Sequence, residues 1–330
     1  MINNDDELII YMVINRRLKM KYAIETFDLK KQYKNFIAVN SINMHVERGK
    51  IYGLLGKNGA GKTTTMCMLL NLSIPTSGEI LIFGREVKDN YGVYSKIGSI
   101  IETPGFYENL SAFDNLKVFS KLRGTYKKED VLRALEIVGL LEVKDKKFKK
   151  FSLGMKQRLG IAAAIIHNPE ILILDEPING LDPVGIIEIR NLFKKLVHIY
   201  GTTIIISSHI LSEIEVIADV IGVMNNGVLV EEISKEELQA KMNKYVEFEV
   251  SNLNLACELL EKAGLEKGTD FVISSCQEMF DSTTANSIKL FSNLDKKAEF
   301  NRLFVKYGID VEKINLTEET LESYFTELIK

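Results

Sequence analysis

Residues 56–63 read Gly56-Lys57-Asn58-Gly59-Ala60-Gly61-Lys62-Thr63 and match the pattern G-x-x-x-x-G-K-[ST] at every defined position. The glycines allow successive backbone N–H groups to curl around phosphate oxygens, and a following helix would point its N-terminus at the same anion. Lys62 would place a positive charge beside the β and γ phosphates, and the Thr63 hydroxyl would ligate Mg2+. The stretch therefore predicts a phosphate-binding loop for ATP. Its expected binding residues are Gly56, Asn58, Gly59, Ala60, Gly61, Lys62, Thr63 and Thr64.

The segments on either side of this loop have strand and helix patterns in alternation. Residues 50–55 form a short apolar strand pattern that leads into the loop, and residues 62–72 have a helical pattern. The dense apolar runs 171–174 and 203–207 are typical of parallel strands that are buried on both faces. A helical pattern over 184–200 lies between these runs, which gives a β-α-β unit. We therefore expect an α/β fold.

Two further patterns extend this prediction. Residues 22–29 and 37–46 alternate between apolar and polar side chains, as antiparallel strands do, so the expected sheet core is mixed. Residues 111–167 are mostly helical in pattern. We therefore expect a domain over 22–235 whose mixed sheet carries an inserted helical subdomain at about 100–165.

Two carboxylates follow the apolar run Ile171-Leu-Ile-Leu, namely Asp175 and Glu176. The carboxyl ends of parallel strands line the ligand crevice of such a sheet. Two adjacent acids at a strand end can also be plain solvated residues, but their position downstream of a complete phosphate loop favours catalysis. We expect Asp175 to hold Mg2+ and Glu176 to polarise the water that attacks ATP.

Residues 151–158 carry the next informative pattern, Phe-Ser-Leu-Gly-Met-Lys-Gln-Arg. It resembles the signature sequence of ABC-type ATPases, usually Leu-Ser-Gly-Gly-Gln, although only Ser152 and Gly154 match. Three further features appear in the order and spacing of that family. Asn179-Gly-Leu-Asp182 resembles its D-loop, His209 stands where it keeps a switch histidine, and Tyr33 stands where it stacks an aromatic ring on adenine.

The resemblance implies a site built from two subunits. In this family the signature residues of one subunit, here Ser152 and Gly154, complete the ATP site of another, so a homodimer or a pair with a second ATPase subunit is expected. The resemblance also assigns catalytic roles to Lys62, Glu176 and His209, and a nucleotide contact to Asp182. A separate transmembrane permease is implied, because no apolar run is long enough to span a bilayer. The expected location is cytoplasmic, at the inner face of the membrane.

Residues 97–104 resemble the Q-loop of the family, with Glu102 where glutamine is usual. Together with Ser-Leu-Gly-Met-Lys-Gln in the signature, this substitution is similar to the subgroup that exports bacitracin and lantibiotic-type peptides. Glu102 still offers oxygen ligands to Mg2+, but it adds negative charge beside Asp175 and Glu176. It could raise the pKa of a neighbouring carboxylate or be balanced by the metal.

The two ends of the chain differ in pattern from this domain. Residues 1–21 are expected to be an extension, of which 1–19 should be dispensable for ATPase activity. Residues 244–330 have the order β-α-β-β-α-β and predict a smaller α+β, ferredoxin-like accessory domain. A last helix is expected over 318–328, with Thr317 at its start.

Other functional classes are less consistent with the sequence. The formal net charge is -3, so no nucleic-acid partner is expected, and the lysine-rich stretch Lys144–Lys150 is better explained as a solvated linker. The alternative is a soluble ABC-type ATPase that acts on ribosomes or nucleic acid, but such members usually carry two ATPase units. A P-loop kinase would leave the signature and the D-loop unexplained.

Overall fold

The computed structural model describes residues 21–102, 105–124, 126–241, 244–276, 285–318 and 324–325. The chain divides into two compact units, the first ending at Lys235 and the second beginning at Glu236. Three predicted features lie outside the described residues: the extension before residue 21, Pro104 of the Q-loop and most of the last helix. Among the described residues, no helix combines the length and the apolar character that a membrane span requires.

The first unit contains eleven strands in its described part. In chain order they are β1 (Tyr22–Tyr33), β2 (Phe36–Ile42), β3 (His45–Glu47), β4 (Ile51–Leu55), β5 (Ser77–Ile82), β6 (Arg85–Glu86), β7 (Ile97–Ile100), β8 (Ile171–Leu174), β9 (Thr203–Ser208), β10 (Val220–Asn225) and β11 (Val228–Ser234). Its helices are α1 (Lys62–Leu69), α2 (Ala112–Leu122), α3 (Lys128–Ile137), α4 (Leu153–Ile165), α5 (Pro183–Tyr200) and α6 (Leu211–Ile217).

The central sheet of this unit has the strand order β11-β10-β4-β9-β8-β7. Every neighbouring pair is parallel except the antiparallel pair β10 and β11 at one edge. All residues of β4, β8 and β9 are buried, as expected for strands covered on both faces. Because β4, β7, β8 and β9 run in one direction, the segments that follow them emerge at the same edge of the sheet.

The second sheet is antiparallel, with the order β2-β1-β5-β6 and with β3 paired to β1. The predicted strand 37–46 is divided here into β2 and β3, both of which pair with β1. The predicted α/β class with a mixed sheet core is confirmed.

The helices begin where the sequence supplies caps. Ser111 accepts a hydrogen bond from Asp114 N at 3.0 Å at the start of α2. Asp182 accepts one from Gly185 N at 2.9 Å at the start of α5, and this helix ends at Gly201 with a φ of 66°. Such caps satisfy backbone groups that the helix itself leaves without partners.

The helix α7 (Lys235–Lys241) begins at the boundary of the two units. The second unit then has β12 (Lys244–Val250), α8 (Leu253–Lys262), β13 (Phe271–Cys276), β14 (Ala285–Leu290), α9 (Lys297–Lys306) and β15 (Val311–Glu318). The strand order is β13-β14-β12-β15 with all pairs antiparallel, which is the ferredoxin-like arrangement.

The core of the second unit is aromatic and aliphatic. Phe248 of β12 and Phe304 of α9 are fully buried, and their rings meet edge to face with centroids 5.4 Å apart. The predicted start of a last helix at Thr317 is wrong. Thr317 and Glu318 continue β15, because their backbone pairs with Tyr245 and Lys244 of β12.

Candidate functional site

The phosphate-binding loop connects β4 to α1. Gly61 lies directly before α1 with a φ of 104°, a conformation that residues with a Cβ rarely adopt. A Cβ at Gly61 would also lie 2.6 Å from the Ala38 carbonyl oxygen, and one at Gly56 would lie 2.5 Å from that of Met224. Both glycines are therefore required by close backbone approach, and the loop stays open toward the N-terminus of α1.

Lys62 is the first residue of α1, and its side chain is 5% exposed. Its ammonium group donates to the Gly56 carbonyl oxygen at 2.6 Å and lies 3.4 Å from Glu176 Oε1. A buried cation is retained only with such partners. The ammonium group is therefore held at the loop and beside the acidic residue predicted to be catalytic.

Asp175 follows β8 directly, and both of its carboxylate oxygens accept hydrogen bonds from hydroxyl groups. The Thr63 hydroxyl donates to Oδ2 at 2.6 Å, and the Ser207 hydroxyl donates to Oδ1 at 2.5 Å. Ser207 also accepts a hydrogen bond from Glu176 N at 2.8 Å. Ser207 was not among the predicted site residues, although its place near the end of an apolar strand, two residues before His209, was a usable signal.

Glu176 lies beside His209, which follows β9. The distance from Glu176 Oε2 to His209 Nδ1 is 2.9 Å, and the backbone of Glu176 has a φ of 48°. Such a left-handed backbone outside glycine is uncommon and marks a position held by its surroundings. The carboxylate therefore bridges His209 and Lys62, with one oxygen on each.

The loop and these side chains line a cavity of about 310 Å³. Its lining residues are Phe36, Ala38, Lys57, Asn58, Gly59, Ala60, Gly61, Lys62, Thr63, Thr64, Glu176, Asn179 and His209. Every predicted loop residue except Gly56 is among them. Phe36, which is 63% exposed, Ala38 and Lys57 were not predicted as binding residues, and Asn179 was named only as the first residue of the predicted D-loop.

Tyr33 does not line this cavity. Its hydroxyl lies 3.1 Å from Ser73 Oγ, and the Lys31 ammonium lies 4.7 Å from its ring centre. Phe36 is the aromatic side chain that the structure places at the loop, three residues further along the chain. The adenine contact of Tyr33 stays a prediction.

The predicted signature residues also lie outside this lining. Ser152 is exposed and begins α4, where its hydroxyl accepts from Met155 N at 3.3 Å. A Cβ at Gly154 would lie 3.9 Å from Leu181 of the predicted D-loop, so the two segments are neighbours in one chain. Asp182 begins α5 in that segment. The structure thus places Gly154 beside the predicted D-loop, which ends at Asp182, and neither Ser152, Gly154 nor Asp182 lines the loop cavity.

Glu102 follows β7 and is exposed. Burial raises the pKa of the Cys67 thiol in α1, and the nearby carboxylates of Asp175 and Glu102 raise it further. The Asp175 and Glu102 carboxylates therefore both lie close enough to affect this thiol. No group of three or more His, Cys, Asp and Glu side chains in the described part of the chain forms a ready metal site.

Comparisons with known proteins bear on this arrangement. Residues 39–179 match the family model described as ABC transporter. The bacitracin transport ATP-binding protein BcrA of Enterococcus faecalis is 53% identical over 311 residues, which cover 94% of this chain and 97% of BcrA. The chain belongs to the ABC transporter ATP-binding family. The lantibiotic transport ATP-binding protein SrtF of Streptococcus pyogenes is 46% identical over 67% of this chain and 96% of SrtF.

Solved structures agree with this membership. The structure of cbiO1 from Clostridium perfringens, part of the ABC transporter complex cbiONQ, has a TM-score of 0.61 and 28% identity over 67% of this chain and 92% of its own. A dimeric structure of the cassette MJ0796 has a TM-score of 0.58 and covers 64% of this chain and 98% of its own, but at 24% identity it shows the fold alone.

The predicted activity follows from family membership. ABC ATPases bind ATP and couple its hydrolysis to transport, so the chain is an ATPase of this kind. The loop can hold phosphates through backbone N–H groups and Lys62, while Glu176 and His209 provide a proton acceptor and its partner beside the same cavity. The roles of the individual residues stay predictions.

Proposed function

We propose that this chain is the ATP-hydrolysing subunit of an exporter for bacitracin-like or lantibiotic-like antimicrobial peptides. The observation that carries the proposal is the extent of the similarity to BcrA, which reaches 94% of the chain. It therefore continues well beyond the family model, which ends at residue 179. A generic ATPase domain would not require identity across the second unit. Transport of this substrate class is supported by BcrA and SrtF, which are named as bacitracin and lantibiotic transport proteins.

The geometry supports hydrolysis by in-line attack of a water molecule on the γ-phosphate. Lys62 would neutralise charge on the transferred phosphoryl group, whose reaction depends mainly on positioning and electrostatics. Glu176 would accept a proton from the attacking water. His209, 2.9 Å from Glu176 Oε2, would hold this carboxylate in the required rotamer.

The donor atoms in the site fit Mg2+. Thr63 Oγ1 and Asp175 Oδ2 are 2.6 Å apart, and hydroxyl and carboxylate oxygens are ligands that Mg2+ uses together with phosphates and water. Thr63 and Asp175 would hold the ion, with Glu102 as a further oxygen ligand. When bound, the ion would supply charge neutralisation for the β and γ phosphates.

A second ATPase subunit would complete the site. Ser152 is the exposed N-cap residue of the thirteen-residue helix α4. Helix N-termini bind anions. We propose that Ser152 and Gly154 of one copy contact the γ-phosphate held by the loop of another, in a homodimer or a pair of related subunits. Asp182, in the neighbouring segment, would lie at the same interface.

A separate permease would provide the membrane path. We propose that the chain works at the cytoplasmic face of the cell membrane, docked through the helical region 100–150 to that permease. The relatives favour this over the alternative of a soluble ATPase that acts on ribosomes or nucleic acid, since both BcrA and SrtF are named as transport proteins.

The test is a resistance assay. The chain would be expressed together with a candidate multi-span permease, in a host sensitive to bacitracin and lantibiotics. We expect the inhibitory concentration of at least one of these peptides to rise with the wild-type chain and not with Lys62→Ala. Unchanged sensitivity to both classes, with the permease in the membrane and ATP hydrolysis intact, would remove the substrate assignment. Co-sedimentation with ribosomes instead of co-purification with the permease would favour the alternative.

A further inference from the structure

Ser207 is a buried residue on the strand between the phosphate-loop strand and the strand that precedes Asp175 and Glu176. It lies on β9, the strand between β4, which leads into the phosphate loop, and β8, which leads into the acidic pair. Its residue is 0% exposed, and its backbone is in register with Leu54 of β4. The position of its side chain relative to the loop is therefore fixed by main-chain pairing.

The β8–β9 ladder ends just before this serine, at the pair Leu174 and Ile206. Asp175 N still donates to the Ile100 carbonyl of β7 at 2.8 Å, but the chain then turns at Glu176, whose φ is 48°. The turn directs Glu176 N to the Ser207 hydroxyl oxygen at 2.8 Å. The side chain of Ser207 thus supplies the acceptor for the second backbone N–H beyond β8, that of Glu176.

The hydroxyl of Ser207 accepts one hydrogen bond and donates another. Its oxygen accepts from Glu176 N, so its proton is directed to Asp175 Oδ1, at 2.5 Å. This length is typical of a hydroxyl that donates to a carboxylate. One hydroxyl therefore sets the rotamer of the predicted metal-binding acid and the backbone of the predicted catalytic acid.

We propose that Ser207 is a positioning residue of the ATPase site, which holds Asp175 and Glu176 at a fixed place relative to the phosphate loop. The inference rests on the proposed roles of these two acids. Alanine at 207 would leave Glu176 N without its acceptor and would remove one of the two hydroxyl donors that hold the Asp175 carboxylate, the other being Thr63. The glycines of the loop and the contact of Lys62 with the Gly56 carbonyl oxygen do not involve Ser207, so nucleotide binding without Mg2+ should be retained.

The test compares full-length variants. Ser207→Ala removes the hydroxyl, and Ser207→Cys replaces it with a thiol, which is somewhat larger and only a weak donor and acceptor. Thr203→Val is the matched control, because Thr203 is also buried on β9 and accepts from Gly49 N at 2.9 Å, but lies at the other end of the strand. Measurements are kcat and KM for ATP, the Mg2+ concentration for half-maximal rate, the affinity for a fluorescent ATP analogue without Mg2+, and the melting temperature.

We expect both serine variants to lower kcat by about 10- to 100-fold, as loss of a group that orients a ligand usually does. The half-maximal Mg2+ concentration should rise, while analogue affinity without Mg2+ stays unchanged. Thr203→Val should lower the melting temperature comparably and leave kcat unchanged.

Three results would overturn the proposal. One is wild-type kcat in a folded Ser207→Ala or Ser207→Cys chain. Another is an equal loss of kcat in Thr203→Val. The third is loss of folding in both serine variants while Thr203→Val folds, since Ser207 would then serve the strand and not the site. Failure of the resistance assay would leave this inference intact, and loss of activity in Glu176→Gln would show separately that the measured ATPase belongs to this site.

Discussion

Replacement of Glu176 by glutamine isolates the role of one carboxylate with almost no change of shape. Glu176 Oε2 lies 2.9 Å from His209 Nδ1, and Oε1 lies 3.4 Å from the Lys62 ammonium. Glutamine keeps the volume and the backbone hydrogen bond to Ser207, but it removes the negative charge and the proton acceptor. The loop should therefore keep its conformation, and the change should act on the chemical step.

The size of the effect follows from these contacts. Loss of a general base lowers a rate by about 10²- to 10⁴-fold, which corresponds to about 2.7 to 5.5 kcal/mol of activation free energy. Lys62 keeps its contact of 2.6 Å to the Gly56 carbonyl oxygen, so it remains at the loop. Since the carboxylate no longer competes with phosphate for this ammonium group, nucleotide affinity should stay equal or rise.

The assay is phosphate release by the purified full-length chain, together with nucleotide binding and gel filtration in the presence of ATP. Glu176→Gln should bind ATP, elute as a dimer and release almost no phosphate. Glu170→Gln is the control, because Glu170 is an exposed acid that pairs with Arg48 and Lys96. Undiminished hydrolysis by Glu176→Gln would refute the catalytic role of Glu176.

Two further predictions concern the adenine contact and pH. Phe36→Ala should weaken ATP binding by about 5- to 150-fold if Phe36 stacks on the base, whereas Tyr33→Ala should have this effect if the family resemblance places the contact correctly. Wild-type affinity of both variants for a fluorescent ATP analogue would exclude both residues as the adenine contact. Burial and the Arg123 guanidinium lower the pKa of His167 from 6.5 to about 4, so the unfolded chain takes up this proton first and stability should fall as the pH drops from 6.5 toward 4. His167→Gln should flatten this part of a melting-temperature profile, and an unchanged slope would contradict the assignment.

Much of the site was predictable because its groups are contiguous in the chain. The phosphate loop depends on glycines at fixed spacing and on the helix that follows, and both are local properties. Asp175 and Glu176 were found in the same way, as acids after a buried strand. The caps of α2 and α5 at Ser111 and Asp182 also depend on side chains that reach only three residues ahead.

Other features were missed because they depend on partners far away in the chain. Thr317 has the side chain of a helix cap, yet its backbone pairs with Tyr245 and so extends β15. Phe36 reaches the loop cavity while Tyr33, three residues earlier, does not. In each case a local preference is weak compared with pairing or packing against another strand.

The amino-acid sequence alone determined that the chain has a phosphate loop, an acidic strand end and the ordered set of features that place it among ABC-type ATPases. Those properties depend on residue type and spacing along one segment. Only the tertiary structure decided that Ser207 joins Asp175 to Glu176, that Lys62 lies between Gly56 and Glu176, and that Ser152 and Gly154 lie apart from the cavity. The reason is strand register, because parallel pairing of β4, β9 and β8 brings segments more than a hundred residues apart to one edge of the sheet.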